Sequence, residues 1–259
     1  MINNLFEYPF LTKIFNKLLN TNDKINIIST NKFLYSIRFK FTYDKEININ
    51  SHVNISYYEC LTNILVNDLK SLPNFKLPKN VTCLTFGDCF NQKIRNKIPN
   101  SVTHLTFGNG FNKNITGNIP NSVTHLTFGN NFNLKINGGI PNSVTHLTFG
   151  DRFNQYINNC IPNSVTYLKF GRNFGKNLKN CLPNSINHLT FGLCFNQKID
   201  DSIPDSVECL ILDELYSKKM TKYLPNLKYL VAESYFVRSN INFVPESTQI
   251  EYCQKIINL

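Results

Sequence analysis

The chain has no tryptophan and two methionines, and it sets 17 Asp or Glu against 27 Lys or Arg in 259 residues. No apolar run approaches the ~20 residues a helix needs to span a bilayer, so no membrane partner is expected. The opening stretch MINNLFEYPFLTKIFNKLL carries Glu7 and has neither a clean apolar region nor a small-residue cleavage site. It therefore reads as no signal peptide, and a cytoplasmic location is expected. No paired carboxylates, nucleophile elbow or phosphate loop occur, and the Cys and His residues have no orienting acid beside them. The reading is of a protein that is not an enzyme and needs no cofactor. The eight cysteines include no CxxC pair, which argues for free thiols over zinc ligands or a disulfide framework.

What the chain does have is Asn, Ile, Lys, Phe and Tyr, the profile of codons rich in A and T. Part of the formal charge of +10 is then compositional, and counted by repeat position the basic residues form no stripe. A nucleic-acid partner is on that ground not expected.

The dominant signal is repetition. The words SVTHLTFG begin at Ser101, Ser122 and Ser143, and prolines recur every 21 residues from Pro78 through Pro99, Pro120, Pro141, Pro162, Pro183 and Pro204 to Pro225. An unbroken period of this length is the signature of a solenoid, in which each unit buries its apolar side chains only by stacking on the next. Six apolar slots recur per unit: Val123, Leu126, Phe128, Phe132, Ile136 and Ile140 in one, and Val102, Leu105, Phe107, Phe111, Ile115 and Ile119 in the one before. The β-branched stretch Val123 to Phe128 predicts a short strand, and stacked strands about 4.8 Å apart make a parallel sheet. Glycine after the strand Phe (Gly87, Gly108, Gly129, Gly150, Gly171, Gly192) reads as a corner where a positive φ is easiest for Gly. The Asn column at 91, 112, 133, 154 and 196, with Gly175 the exception, predicts side chains that bond the backbone of the next coil. The return stretch, rich in Asn, Gly and Pro, predicts no helix.

This unit resembles the FNIP repeat, a relative of the leucine-rich repeats, on the pattern IPxSVTxLxFGxxFN, which Ile119 to Asn133 and Ile140 to Asn154 match throughout. The resemblance implies a mainly β, leucine-rich-repeat-like solenoid of 21-residue units with a parallel sheet over residues 77–224. A stretch at 46–76 then serves as linker and N-terminal capping coil, and degenerate repeats at 225–259 form a C-terminal cap.

Residues 1–45 share none of the ruler. Pro9 can open a helix whose face carries Phe10, Leu11, Ile14, Phe15, Leu18 and Leu19, with two short helices to follow. In its order of apolar residues this small α-helical unit resembles an F-box, a combination with FNIP repeats known chiefly from giant viruses of amoebae. The resemblance implies that Pro9, Phe10, Leu11, Ile14, Phe15 and Leu18 dock a Skp-type adaptor of a cullin ubiquitin ligase. The chain would then be the substrate receptor of an SCF-type ligase. The alternative is a non-enzymatic interaction scaffold whose N-terminal helices only cap the solenoid.

On each strand the residues alternating with the inward Leu and Phe face outward. They form one column of His104, His125, His146, Tyr167 and His188 and a second of Thr106, Thr127, Thr148 and Lys169. These are the candidate contacts for a target protein. Histidines in a flat ladder do not converge on a tetrahedral centre, so no metal is expected.

Overall fold

A computed structural model describes residues 47–48, 63–66, 77 and 79–253. The expected helical unit falls at 1–45 and lies outside the described residues. Eleven strands form one sheet in chain order. They are β1 (Ile47–Asn48), β2 (Asn63–Val66), β3 (Cys83–Phe86), β4 (His104–Phe107), β5 (His125–Thr127), β6 (His146–Thr148), β7 (Tyr167–Lys169), β8 (His188–Thr190), β9 (Cys209–Ile211), β10 (Tyr229–Ala232) and β11 (Gln249–Tyr252). All neighbours pair in parallel, and like pairs with like: Leu105, Leu126, Leu147 and Leu168 are successive partners. The described chain is thus a mainly β parallel solenoid of ~21-residue units. The sheet reaches back through β1 and β2 into the stretch expected as linker and capping coil.

The strands are shorter than the six residues expected. Two successive N–H groups, of Thr124 and His125, both donate to the carbonyl of Thr103, at 2.9 and 3.0 Å. Regular pairing therefore starts only at His125. The serine before each strand adds a bond of its own: Ser122 Oγ donates to Val102 O and Ser143 Oγ to Val123 O, each at 2.7 Å.

All six inward slots are buried, Val123, Phe132 and Ile136 completely and Ile140 to 7% exposure. Their centre is a double column of phenylalanines. Phe128 packs on Phe132 of its own coil with centroids 4.1 Å apart, and on Phe149 of the next coil at 5.6 Å. Offset stacking suits the ring quadrupoles, and burial of so much aromatic area dominates the stability of each unit. The column ends at Tyr216, against which Phe236 stands edge-on at 5.2 Å and 74°.

Asparagine does what the repeat suggests. The backbone N–H of Asn112, Asn133 and Asn154 donates to Oδ1 of Asn91, Asn112 and Asn133 at 2.9 to 3.1 Å. Gly175 donates to Asn154 in the same way but has no side chain to pass the ladder on. A second ladder, not anticipated from sequence, runs through Asp88, Asn109, Asn130 and Asp151 to Arg172, each carbonyl or carboxylate oxygen accepting the next coil's N–H.

The corner glycines require a correction. Positive φ angles occur not there but nine residues further along each coil, in the return stretch, at Asn96, Gly117, Gly138, Asn159 and Asn180, between 50° and 68°. The corners need glycine because coils touch there: a Cβ on Gly129 or Gly150 would lie 2.3 Å from the carbonyl oxygen of the preceding corner.

At the C-terminal end the corner is replaced by a short helix α1 (Ser234–Asn240), followed by a 3-10 turn at Ile241–Phe243. The repeat ruler did not foretell α1. The carboxylate of Glu233 caps it by accepting the N–H groups of Tyr235 and Phe236. Its buried Phe236 and Val237 close the core. The last strand, β11, carries exposed Gln249, Glu251 and Tyr252.

Candidate functional site

The alternation on each strand sends Leu and Phe inward and leaves their neighbours on the open face of the sheet. His104, His146, Lys169 and His188 are exposed there, and Thr106, His125, Thr127, Thr148 and Tyr167 are half-buried. All nine residues picked from the repeat columns therefore share one face, on β4 through β8. The candidate adaptor residues Pro9 to Leu18 lie outside the described residues.

In-register pairing stacks the imidazoles. The rings of His104 and His125 are 4.2 Å apart and 12° from parallel, and those of His125 and His146 are 4.2 Å apart and 14° from parallel. Tyr167 continues the stack at 5.5 Å and leads to His188 at 6.2 Å.

Each ring is held from the side by a residue that sequence reasoning passed over. Nδ1 of His104, His125 and His146 lies 2.9 Å from Oγ1 of Thr103, Thr124 and Thr145. Each of these hydroxyls also lies 3.2 to 3.3 Å from a carbonyl of the previous coil. With the hydroxyl proton on that carbonyl, the hydroxyl oxygen accepts from Nδ1–H and Nε2 is the acceptor nitrogen; with it on Nδ1, the tautomer is the reverse. At His188 the carbonyl oxygen of the Asn187 side chain takes the same role at 2.8 Å. The signal was present in the strict Thr of SVTH, which strand propensity alone had seemed to explain.

The stack alters the chemistry of its middle member. Burial first, and the neighbouring His104 and His146 next, push the His125 pKa below the ordinary imidazole value. Parallel rings aim their Nε2 atoms in parallel. Among the described residues no group of three or more His, Cys, Asp or Glu is placed to hold a metal ion.

From Thr82 through Thr190 the three outward columns contain no carboxylate. The face offers hydroxyls, imidazoles, one thiol, one amide, one phenol and one ammonium group, which suits hydrogen bonding to another polypeptide. The described cysteines are free thiols, with Cys160 and Cys181 buried and Cys89 and Cys194 exposed. Burial raises the pKa of both Cys160 and Cys181, and for Cys160 the neighbouring Cys181 raises it further. Among the described residues no helix is long and apolar enough to cross a membrane.

Comparison with known proteins shows the family and a relative of known structure. The FNIP Repeat model matches residues 69–110, 111–152, 135–173, 153–194 and 174–215. A solved structure, described as the crystal structure of CroV588, a novel circular LRR protein, is 44% identical with a TM-score of 0.68. The match covers 75% of this chain but 30% of that one, so the chain spans under a third of that relative's length. Among curated proteins nothing matches.

Proposed function

The chain belongs to the FNIP repeat family, a repeat solenoid suited to protein–protein interaction, and we propose that it is the target-binding subunit of an SCF-type ubiquitin ligase. In this reading the outward columns on β4 through β8 hold the target, and residues 9–18 dock a Skp-type adaptor. Ubiquitin transfer is carried out by the rest of the ligase, so no catalytic residue is asked of this chain.

The observation that carries the target-binding half is the outward face itself: aligned His, Tyr and Thr side chains, free of carboxylates, on an unbroken parallel sheet. Solenoids bind through such ordered columns because each coil adds side chains at a fixed step. The adaptor half is supported by the sequence of residues 9–19. Phe10, Leu11, Ile14, Phe15, Leu18 and Leu19 exceed what a few short helices can hide among themselves, and a large apolar surplus marks a partner site.

The test is co-purification of the full chain with the Skp-type adaptor and cullin of its host. Leu11→Asp together with Ile14→Asp is expected to abolish adaptor recovery, because two unpaired carboxylates cannot be buried in an apolar interface. The melting transition of the repeats should stay in place. Failure of the wild-type chain to recover any adaptor, or loss of the repeat transition in the double variant, would make the N-terminal segment a cap and the chain a passive scaffold.

A further inference from the structure

We propose that a second surface, off the sheet, binds an acidic segment of a partner protein along a ridge of lysines that crosses the coils. The charge of the chain is unevenly distributed. Residues 89–199 contain eleven Lys or Arg and one acidic residue, Asp151, whereas residues 200–253 contain nine Asp or Glu and five Lys or Arg. The ion pairs of Lys179 with Asp201, Lys222 with Asp205 and Lys228 with Glu208 all draw on acids of that second stretch. The carboxylates bordering the basic coils, Asp88 and Asp151, sit at the corners, where each turns Oδ1 to a backbone N–H of the next coil.

Counted by repeat position the cations form no stripe, but folding interleaves two adjacent positions into one. Lys93, Lys135 and Lys198 occupy one column, and Lys113 and Lys176 the column immediately before it. The Asn91–Asn112–Asn133–Asn154 ladder holds the coils in step at this level. Two contacts show that the columns meet across coils. Lys93 and Lys113 line the same cleft of about 590 Å³, together with Arg95, Asn114 and Thr116. Lys176 Nζ lies 5.0 Å from the ring centre of Tyr156, which holds the Lys135 position one coil on. Each coil from β3 to β8 thus presents one ammonium group or Tyr156 in these two adjacent positions.

A row of cations with no free carboxylate between them attracts a polyanion, raising its encounter rate and local concentration. The chemistry favours an acidic polypeptide over nucleic acid. Surfaces that bind single strands join a basic groove to a series of open aromatic faces on which bases stack. The exposed aromatic of this ridge is Tyr156, and Lys176 already lies over its ring. The cleft adds neutral donors, the Asn114 amide among them, whose Oδ1 accepts the Thr116 N–H and whose NH2 group is not used in that bond. Carboxylates can be met there by charge and hydrogen bond together. This surface is separate from the sheet face and needs no ubiquitin ligase, so the two proposals fail independently.

The test uses the full chain and a fluorescein-labelled peptide of alternating Glu and Ser, with binding followed by anisotropy at low salt. Lys93→Glu, Lys113→Glu and Lys135→Glu combined should weaken binding at least tenfold, roughly, because exposed attractive pairs become repulsive ones. The gentler Lys→Gln set at the same positions should weaken it less, and both should keep the wild-type melting transition. A matched control, Arg152→Glu with Arg172→Glu and Arg238→Glu, changes the net charge equally away from the ridge and from the sheet face and should leave most of the affinity. The proposal is overturned if the wild-type chain does not bind the peptide, or if the control loses as much affinity as the ridge variant. It is also overturned if oligothymidylate of equal charge binds more tightly than the peptide.

Discussion

Gly129 and Gly108 sit in van der Waals contact across two coils, so close that a Cβ on Gly129 would stand 2.3 Å from the carbonyl oxygen of Gly108. Backbone on backbone cannot give way as the end of a flexible side chain can. Gly129→Ala is therefore expected to cost more than about 2 kcal/mol by forcing two coils apart. Gly117→Ala is the contrast. At φ +68 with open space around the missing Cβ, it should cost about 1 kcal/mol, and Gly117→Asn less, since Asn adopts the same conformation at 96, 159 and 180. Denaturant melts of the three variants check the order, and equal losses at both glycines would refute the distinction.

Phe128 is 1% exposed and touches rings in its own coil and in both neighbours. Its replacement by Ala leaves a void in the middle of a continuous stack, which neighbours on a rigid parallel sheet cannot fill. A loss of about 3 to 5 kcal/mol is expected in equilibrium unfolding. A loss under about 1 kcal/mol would mean that the coils collapse around the gap.

The imidazole stack makes stability depend on pH in a defined direction. His125 has its pKa depressed in the folded chain by burial and by His104 and His146. An unfolded His125 binds a proton near pH 6.5, where the folded one resists it. Its contribution is thus fully present above the unfolded value and is lost as pH falls from there toward the lower folded value. Melting midpoints should decline between about pH 7 and 5.5, and His125→Gln should flatten part of that decline. A variant that declines as steeply as the wild type would place the effect elsewhere.

Thiol reactivity should divide by burial. Cys89 and Cys194 are exposed, whereas Cys160 and Cys181 are buried with raised pKa values. With a disulfide reagent at mildly alkaline pH, the first two are expected to react rapidly and the second two only on the timescale of local opening. Mass mapping of the early-labelled sites gives the answer, and early labelling of Cys160 would contradict the packing.

Much of the architecture was legible from the proline ruler and the six apolar slots, because a solenoid has one solution repeated: each unit can bury its face only against the next. The outward columns were equally legible, since alternation along a strand assigns sides without reference to anything distant. Even the Asn91-to-Asn154 ladder followed from recurrence. Short-range pattern and translation along the axis were sufficient for all of these.

Other features depended on distances between coils, which no residue count supplies. The corner glycines are required by backbone contact with the previous corner and not by φ, and the positive φ angles fall nine residues away in the return stretch. The Thr103, Thr124 and Thr145 hydroxyls tie each imidazole to the coil before, because each lies within hydrogen-bond distance of both Nδ1 and a carbonyl of that coil. Helix α1 arises where the ruler lapses, from the Glu233 cap and the chance to lay Phe236 across the end of the ring column. The lysine ridge likewise exists only in three dimensions. Adjacent columns mix when one coil's long side chain reaches the next coil, as Lys176 reaches Tyr156. The linear sequence determined what repeats and which side it faces. The stacking distance decided which repeated groups touch, and hence the protonation of the histidine ladder, the need for glycine at the corners and the continuity of the basic surface.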